Sequence, residues 1–185
     1  MELVRPALEH VPSYLAARER GFSFDVDSSP EAVARMTAKI AADPAAFIDE
    51  VEDLTPNGRT ITLPDGTQAP LLPQYTRWIW DGEFVGSIAF RWQPGTVELP
   101  DYVLGHIGYA VVEWKRRQGY ATFALGQILQ LPRQLGLPYV EVVTAEDNVA
   151  SGQVVLNNGG RFVRTYLSPA SQGAKPVNLY VIDLD

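Results

Sequence analysis

Residues 105–131 read GHIGYAVVEWKRRQGYATFALGQILQL, and this stretch decides the fold. It divides into an apolar strand, a short basic turn and an amphipathic helix. Ala121, Ala124, Leu125, Ile128 and Leu129 fall at the i, i+3, i+4, i+7, i+8 spacing of one helical face. Before them the turn carries Lys115, Arg116 and Arg117, then Gln118, Gly119, Tyr120 and Ala121. The first N–H groups of a helix lack internal partners, and the helix dipole favours an anion there. Gly119 has no side chain to keep a diphosphate from the backbone, and Arg116 and Arg117 add charge at the rim. The turn therefore reads as a metal-free diphosphate site. Taken alone it reads equally well as a solvated basic loop.

The surrounding composition sharpens the contrast. The chain has 185 residues, 46% apolar and 20% charged, which suits one folded domain spanning 1–185. Its net charge of −7 argues against a nucleic-acid or anionic membrane partner. Three adjacent cations stand out in a chain with 15 Lys and Arg. Cysteine is absent, and His10 and His106 are the two histidines, so neither a thiolate nucleophile nor a metal site is expected. No apolar run has the length of a membrane span, and residues 1–6 do not form a secretion signal. A cytoplasmic protein is the expectation.

Working outward, residues 2–7 suggest a first strand. Residues 8–20 suggest a helix with Leu8, Val11, Leu15 and Ala16 on its apolar face. Ser29 and Pro30 open a second helix, with Val33, Met36 and Ile40 turned inward, and Asp43-Pro44 opens a third. Residues 54–74 hold Pro56, Pro64, Pro70 and Pro73 and a small hairpin turning at Asp65-Gly66, a candidate wall or lid over an acceptor. Residues 75–80 and 83–92 form a hairpin around Asp81-Gly82, which reads as a type I′ turn. Trp78, Trp80, Phe90 and Trp92 read as packing residues. Residues 104–112 read as one strand containing Gly105 and Gly108. Pro132 should break the central helix. Residues 139–144 form a β-branched strand, Asp147 or Asn148 caps a last helix, and strands at 162–167 and 177–184 finish the chain.

The turn is not a Walker loop, because no Gly-Lys-Ser/Thr follows the spacer, and it lacks the three-glycine dinucleotide spacing. Arg116-Arg117-Gln118-Gly119-Tyr120-Ala121 fits the Arg/Gln-x-x-Gly-x-Gly/Ala signature of the GCN5-related N-acetyltransferase (GNAT) family, which this chain resembles. Val111, five residues before Arg116, matches the apolar end of the family's fourth strand, and Asn148, Ser151 and Gly159 match its later spacing. The resemblance is densest over about 104–162, the expected cofactor-binding core, and looks like a bacterial subgroup of predicted acetyltransferases. It implies an α/β fold with a mixed, mostly antiparallel twisted sheet, splayed fourth and fifth strands and flanking helices. It implies acetyl-CoA as co-substrate, no metal, a small-molecule or peptide amine as acceptor, and a homodimer, since dimers are common in the family. Tyr109, Val111 and Val112 would pair with the pantetheine arm, and Arg116, Arg117, Gln118, Gly119, Tyr120, Ala121 and Thr122 would take the pyrophosphate. Asn148 and Ser151 would flank the arm, and a strand N–H near Val111 would polarise the thioester carbonyl.

An acceptor with a lysine-like pKa is neutral in only about 1 molecule in 2500 at pH 7, so a general base is useful. His106 is the first choice and Glu146 the alternative, with Glu83, Glu98, Asp101 and Glu113 also considered. Val155 stands where many relatives carry a tyrosine that protonates the leaving thiolate. That departure leaves a non-catalytic acyl-CoA-binding module as the alternative, and Tyr109 or Tyr120 as substitutes for the missing hydroxyl. A structural domain without any ligand is the third reading.

Overall fold

The computed structural model describes residues 1–24, 29–63 and 65–184. Pro64, part of the proline-rich stretch, lies outside them. Strand β1 (Glu2–Val4) is followed by helices α1 (Val11–Glu19), α2 (Pro30–Ala42) and α3 (Pro44–Val51), the hairpin β2 (Thr60–Thr62) and β3 (Gln68–Pro70), and strands β4 (Gln74–Trp80), β5 (Phe84–Arg91) and β6 (Ile107–Val111). Helices α4 (Tyr120–Ile128) and α5 (Gln130–Gln134), strand β7 (Tyr139–Ala145), helix α6 (Val149–Leu156) and strands β8 (Arg161–Leu167) and β9 (Pro176–Asp183) complete it.

Beside the two-stranded β2-β3 sheet, two larger antiparallel sheets share the molecule, in the orders β1-β4-β5-β6 and β7-β9-β8. They touch where β6 begins. The His106 N–H donates to Glu141 O at 2.8 Å, and the Glu141 N–H donates back to the His106 ring at 2.9 Å. Beyond that point β6 and β7 do not pair. This is the splay expected between the fourth and fifth strands of the main run, and it opens a wedge.

Each face of the sheet has its own core. Ile79, Val85, Ile88, Phe90 and Ile107 pack against Ala124, Leu125 and Ile128 of α4 and Val155 of α6. Trp78, Phe84 and Val112 pack on the other face against Val11, Tyr14 and Ala17 of α1 and Ile40 of α2. The α1 face differs from expectation. Leu8 is exposed, and the buried stripe is Val11, Tyr14, Ala17 and Arg18. Arg18 is buried because it is fully engaged. It donates to Thr37 Oγ1 (2.8 Å), Tyr14 Oη (3.1 Å) and Val33 O (3.2 Å), tying α1 to α2. Met36 is likewise exposed. Ser29 and Asp43 cap α2 and α3 as their positions predict. Pro132 sits inside α5, and the helical run breaks at Leu129.

The hairpin turn is not type I′. Gly82 has φ +77°, but Asp81 stays at negative φ, and the loop includes Glu83. The register then shifts, with Ile79 opposite Gly86 and Trp80 opposite Phe84. Val85 is the bulged residue, and its carbonyl accepts the Val112 N–H at 2.9 Å. The predicted 104–112 strand is also shorter. Gly105, at φ +76°, turns the chain against β7, so β6 starts at Ile107. Gly86 is fixed by proximity, since an added Cβ would stand 2.3 Å from Ala110 O in β6. Gly86→Ala is therefore expected to cost about 1–3 kcal/mol by forcing β5 and β6 apart. Urea midpoints read this, and an unchanged midpoint would contradict it.

Candidate active site

The wedge borders the basic turn. In the β5–β6 ladder, the pairs Arg91–His106 and Val85–Val112 are hydrogen-bonded toward β5. Alternation along an antiparallel strand then turns the N–H and C=O groups of Tyr109 and Val111 the other way, into the wedge. Arg116 Nε donates to the Val111 carbonyl at 3.2 Å, drawing the turn against this edge. Val112 does not share the arrangement expected of it. Its N–H is spent on Val85 O, its C=O accepts the Lys115 N–H at 3.1 Å, and its side chain is core.

After Lys115 the backbone coils into a cradle. Arg117 has φ +62° and Gly119 φ +83°, followed at once by α4. The first helical bond is Phe123 N–H to Gly119 O at 2.9 Å. Among the described residues, the backbone N–H groups of residues 117–122 have no partner. Alternating left-handed residues before a helix turn successive N–H groups to one side, which makes an anion-binding concavity. Gly119 is required for its φ, since nothing lies within 4 Å of an added Cβ. Residues 116–119 are exposed. The three cations are not equivalent. Lys115 pairs with Glu83 at 2.8 Å, which raises its pKa, while Arg116 and Arg117 stay at the rim. Tyr120 contributes its N–H only, because its hydroxyl donates to Asp81 at 2.5 Å. That carboxylate also accepts from the N-terminal amine at 3.1 Å.

Across the wedge, Asn148 caps α6 by accepting the Ser151 N–H at 3.1 Å. The Ser151 hydroxyl donates to Tyr109 Oη at 2.8 Å, and the Tyr109 hydroxyl donates to Ser151 O at 2.9 Å. Burial pushes the Tyr109 phenol up to about 12. Val155 is fully buried and lies one turn beyond Ser151 on the same helix face. A phenol hydroxyl thus reaches α6 from the strand, in a region where the helix offers none. Asn158 holds the two helices together, donating to Thr122 O at 3.1 Å and Val154 O at 2.9 Å.

His106 is not placed to take a proton, which corrects the first-choice base. It is 1% exposed. Nδ1 accepts the Glu141 N–H, and Nε2 donates to Val97 O at 3.0 Å. Burial lowers its pKa to about 4. Glu83 is held by Lys115, while Glu98, Asp101 and Glu113 are exposed. Glu146 is exposed just beyond β7, with its backbone N–H bonded to Pro176 O at 3.2 Å. Sequence reasoning missed Glu141. Val140 and Val142 enter the α4 core, so alternation turns Glu141 away from that core, where burial raises its pKa against an opposing effect of Arg164. Its only signal was one carboxylate inside a β-branched run. On the α1–α2 face, next to Val111, lies a cavity of about 880 Å³ lined by Phe22, Val33, Ala110, Val111, Trp114 and Arg116. The Trp114 Nε1 there is buried without a partner.

Among the described residues, no acidic or histidine cluster suits a metal, and no helix is long and apolar enough to cross a membrane. No curated protein sequence matches the chain significantly. Solved structures do resemble it. One is the Salmonella typhimurium acetyl transferase that modifies the N-terminal serine of a 50S ribosomal subunit protein, at 14% identity over 99% of this chain and 94% of that one, TM-score 0.61. A second is the microcin self-immunity acetyltransferase MccE in complex with acetyl-CoA and AMP, at 12% identity over 98% and 91%, TM-score 0.58. A third is a variant of the spermidine N-acetyltransferase SpeG from Vibrio cholerae, at 10% identity over 100% and 95%, TM-score 0.56. At these identities the likeness establishes the fold. The model of the acetyltransferase (GNAT) domain matches residues 3–161, and with most of its length so matched the chain belongs to that family.

Proposed function

We propose that this chain transfers the acetyl group of acetyl-CoA to a primary amine, by direct attack on the thioester in the wedge between β6 and β7. The observation that carries the reading is the set of unpartnered N–H groups at the Tyr109–Val111 edge and at residues 117–122. A free strand edge suits the amide-bearing pantetheine arm, and the cradle suits a diphosphate. In this reading Tyr109 and Val111 pair with the arm. Arg116, Arg117, Gln118, Gly119, Tyr120, Ala121 and Thr122 surround the diphosphate, and Asn148 and Ser151 flank the arm from α6. Acetyl-CoA supplies an activated acyl group. The Val111 N–H is aimed where negative charge grows on the acyl oxygen.

The proposal assigns the proton acceptor to Glu141, with Glu146 as the exposed alternative. Glu141 points away from the α4 core, and its raised pKa brings it nearer the working range of a general base. Tyr109 serves the opposite face, where the thiolate departs. A phenol at about 12 holds its proton against a thiol near 8.5, so Tyr109 stabilises the thiolate by turning its O–H from Ser151 O to donate a hydrogen bond, rather than by giving up the proton. Tyr109→Phe is expected to lower kcat about tenfold with a smaller change in KM for acetyl-CoA, since a hydrogen bond to a charged group contributes about 1.5–3 kcal/mol. Steady-state kinetics would test this; an unchanged kcat removes Tyr109 from the chemistry.

The acceptor belongs to the class of peptide or small amines, as the names of the N-terminal serine and spermidine acetyltransferases among the structural neighbours suggest. A homodimer is carried with the proposal, to be read by sedimentation. The main test is thiol release from acetyl-CoA over a panel of amines, run beside thermal shift. Stabilisation without thiol release would favour the acyl-CoA-binding module. No stabilisation would remove acetyl-CoA from the site.

A further inference from the structure

Arg91 ends β5 opposite Gln74. Alternation with Ser87 and Ala89 puts its side chain on the α1–α2 face, the face of the large cavity. Its Nη2 stands 3.2 Å from where a Cβ on Gly108 would be, and Phe24 approaches the same point at 3.6 Å. The Nε is buried and has no partner. Among the described residues no carboxylate comes within ion-pairing reach of this guanidinium, and desolvation alone lowers its pKa. The protein treats other inward-facing cations differently. Among the described residues Arg18 donates to Thr37, Tyr14 and Val33, and Arg77 pairs with Glu52.

Arg91 is half-buried, and the cost to the fold falls on its Nε, which water does not reach and no acceptor among the described residues meets. The cost has a use if the missing partner arrives with a ligand. Arg91 lines a cavity of about 150 Å³ whose other walls include Ile61, Leu63, Pro70, Leu71 and Leu104. That is the space of about five waters. Neighbouring polar groups are already spent, since the Tyr102 hydroxyl donates to Pro70 O at 2.9 Å and Gln172 Nε2 donates to Tyr102 O at 2.6 Å. A planar guanidinium fork in an apolar pocket matches a carboxylate at the end of an aliphatic or peptide chain. It matches a strongly hydrated dianion poorly.

We propose that Arg91 binds a carboxylate carried by the acceptor, so that the substrate is a primary amine with a carboxylate some distance from its nitrogen. This rests on the amine-acetylation reading above. The spacing sets the class. Gly108 and Val111 are three residues apart on β6, about 10 Å along a strand. An α-amino acid attacked at its own amine is too short to span that distance. An ω-amino acid or a short peptide with a free carboxylate is long enough.

The test measures thiol release with matched pairs: 6-aminohexanoate against hexylamine, and triglycine against triglycinamide, with glycine as the short control. The wild type should prefer the carboxylated members, and Arg91→Gln should reduce that preference about tenfold or more. Whichever pair shows the effect identifies a small amino acid or a peptide as the source. A second readout needs no acetyl transfer. Hexanoate alone should raise the melting temperature of the wild type but not of Arg91→Gln, and inorganic phosphate should not substitute. Arg91→Met should itself melt higher, because it removes a buried donor that has no acceptor. Hexanoate protection without turnover of any amine would sink the transfer reading and leave the carboxylate site standing. Equal use of both members of each pair, protection independent of Arg91, equal protection by phosphate, or a lower melting temperature for Arg91→Met would each overturn the assignment.

Discussion

Gly119→Glu is expected to raise the dissociation constant for acetyl-CoA by more than about 100-fold while leaving the fold in place. Gly119 sits at φ +83°, so any L side chain there is strained by about 1–2 kcal/mol. The strain is affordable because an added Cβ meets nothing within 4 Å. The binding loss has a different origin. A carboxylate on residue 119 would lie among the free N–H groups of residues 117–122 and beside Arg116 and Arg117. It would satisfy those groups itself and repel an incoming diphosphate. Gly119→Ala separates the two effects, with the same strain, no charge, and binding within about tenfold of wild type. Calorimetric titration of both variants decides the matter. Unchanged affinity in the glutamate variant would remove the diphosphate from this turn.

That prediction could be framed from sequence because everything it needs is local. A helix start frees its own N–H groups, a glycine permits the left-handed residue before it, and an asparagine caps the helix it precedes. Residues 116–122 and the Asn148–Ser151 pair are therefore legible in one dimension. The splay of β6 and β7 was legible through the family signature, which names both flanks of the wedge. The errors share a physical cause in long-range partners that no local pattern announces. Val112 reads as a strand residue with a free N–H until the bulge at Val85, across the sheet, claims it. Asp81-Gly82 reads as a two-residue turn until that same bulge lengthens the loop. Glu141 was invisible because the apolar residues around it set the reading of the whole strand. Arg91 reads as an ordinary cation at a strand end, and only the packing of Phe24, Gly108 and the β2–β3 hairpin buries its Nε without a partner.

His106 is the sharpest of these cases, and it carries the second large effect. Folding stability is expected to fall by about 2 kcal/mol between pH 7 and pH 5 through this residue alone. Its Nδ1 accepts the Glu141 N–H, so a proton there would face another N–H. Its Nε2–H is already donated to Val97 O. Burial first, then the nearby Arg91 charge, holds the folded pKa at about 4 against 6.5 for the free side chain, with the Val97 bond opposing. Above pH 6.5 both states leave the ring neutral and the contribution is complete. Between 6.5 and 4 the unfolded chain takes up a proton that the folded chain refuses, so stability drains away as the pH falls. Below 4 the loss, about 3 kcal/mol, has run its course. His106→Asn should start less stable at pH 7, having lost ring packing and a hydrogen bond, and should show a flatter slope down to pH 5. Urea midpoints across that range give both curves, and parallel curves would refute the assignment. The same substitution also decides the catalytic question. A base near 6.5 would give kcat/KM an acidic limb that vanishes in His106→Asn. A buried ring pinned between Glu141 and Val97 predicts no limb that depends on His106, because its proton never enters the wedge; acid should reduce activity through protonation of the carboxylate base and as the join between β6 and β7 loosens.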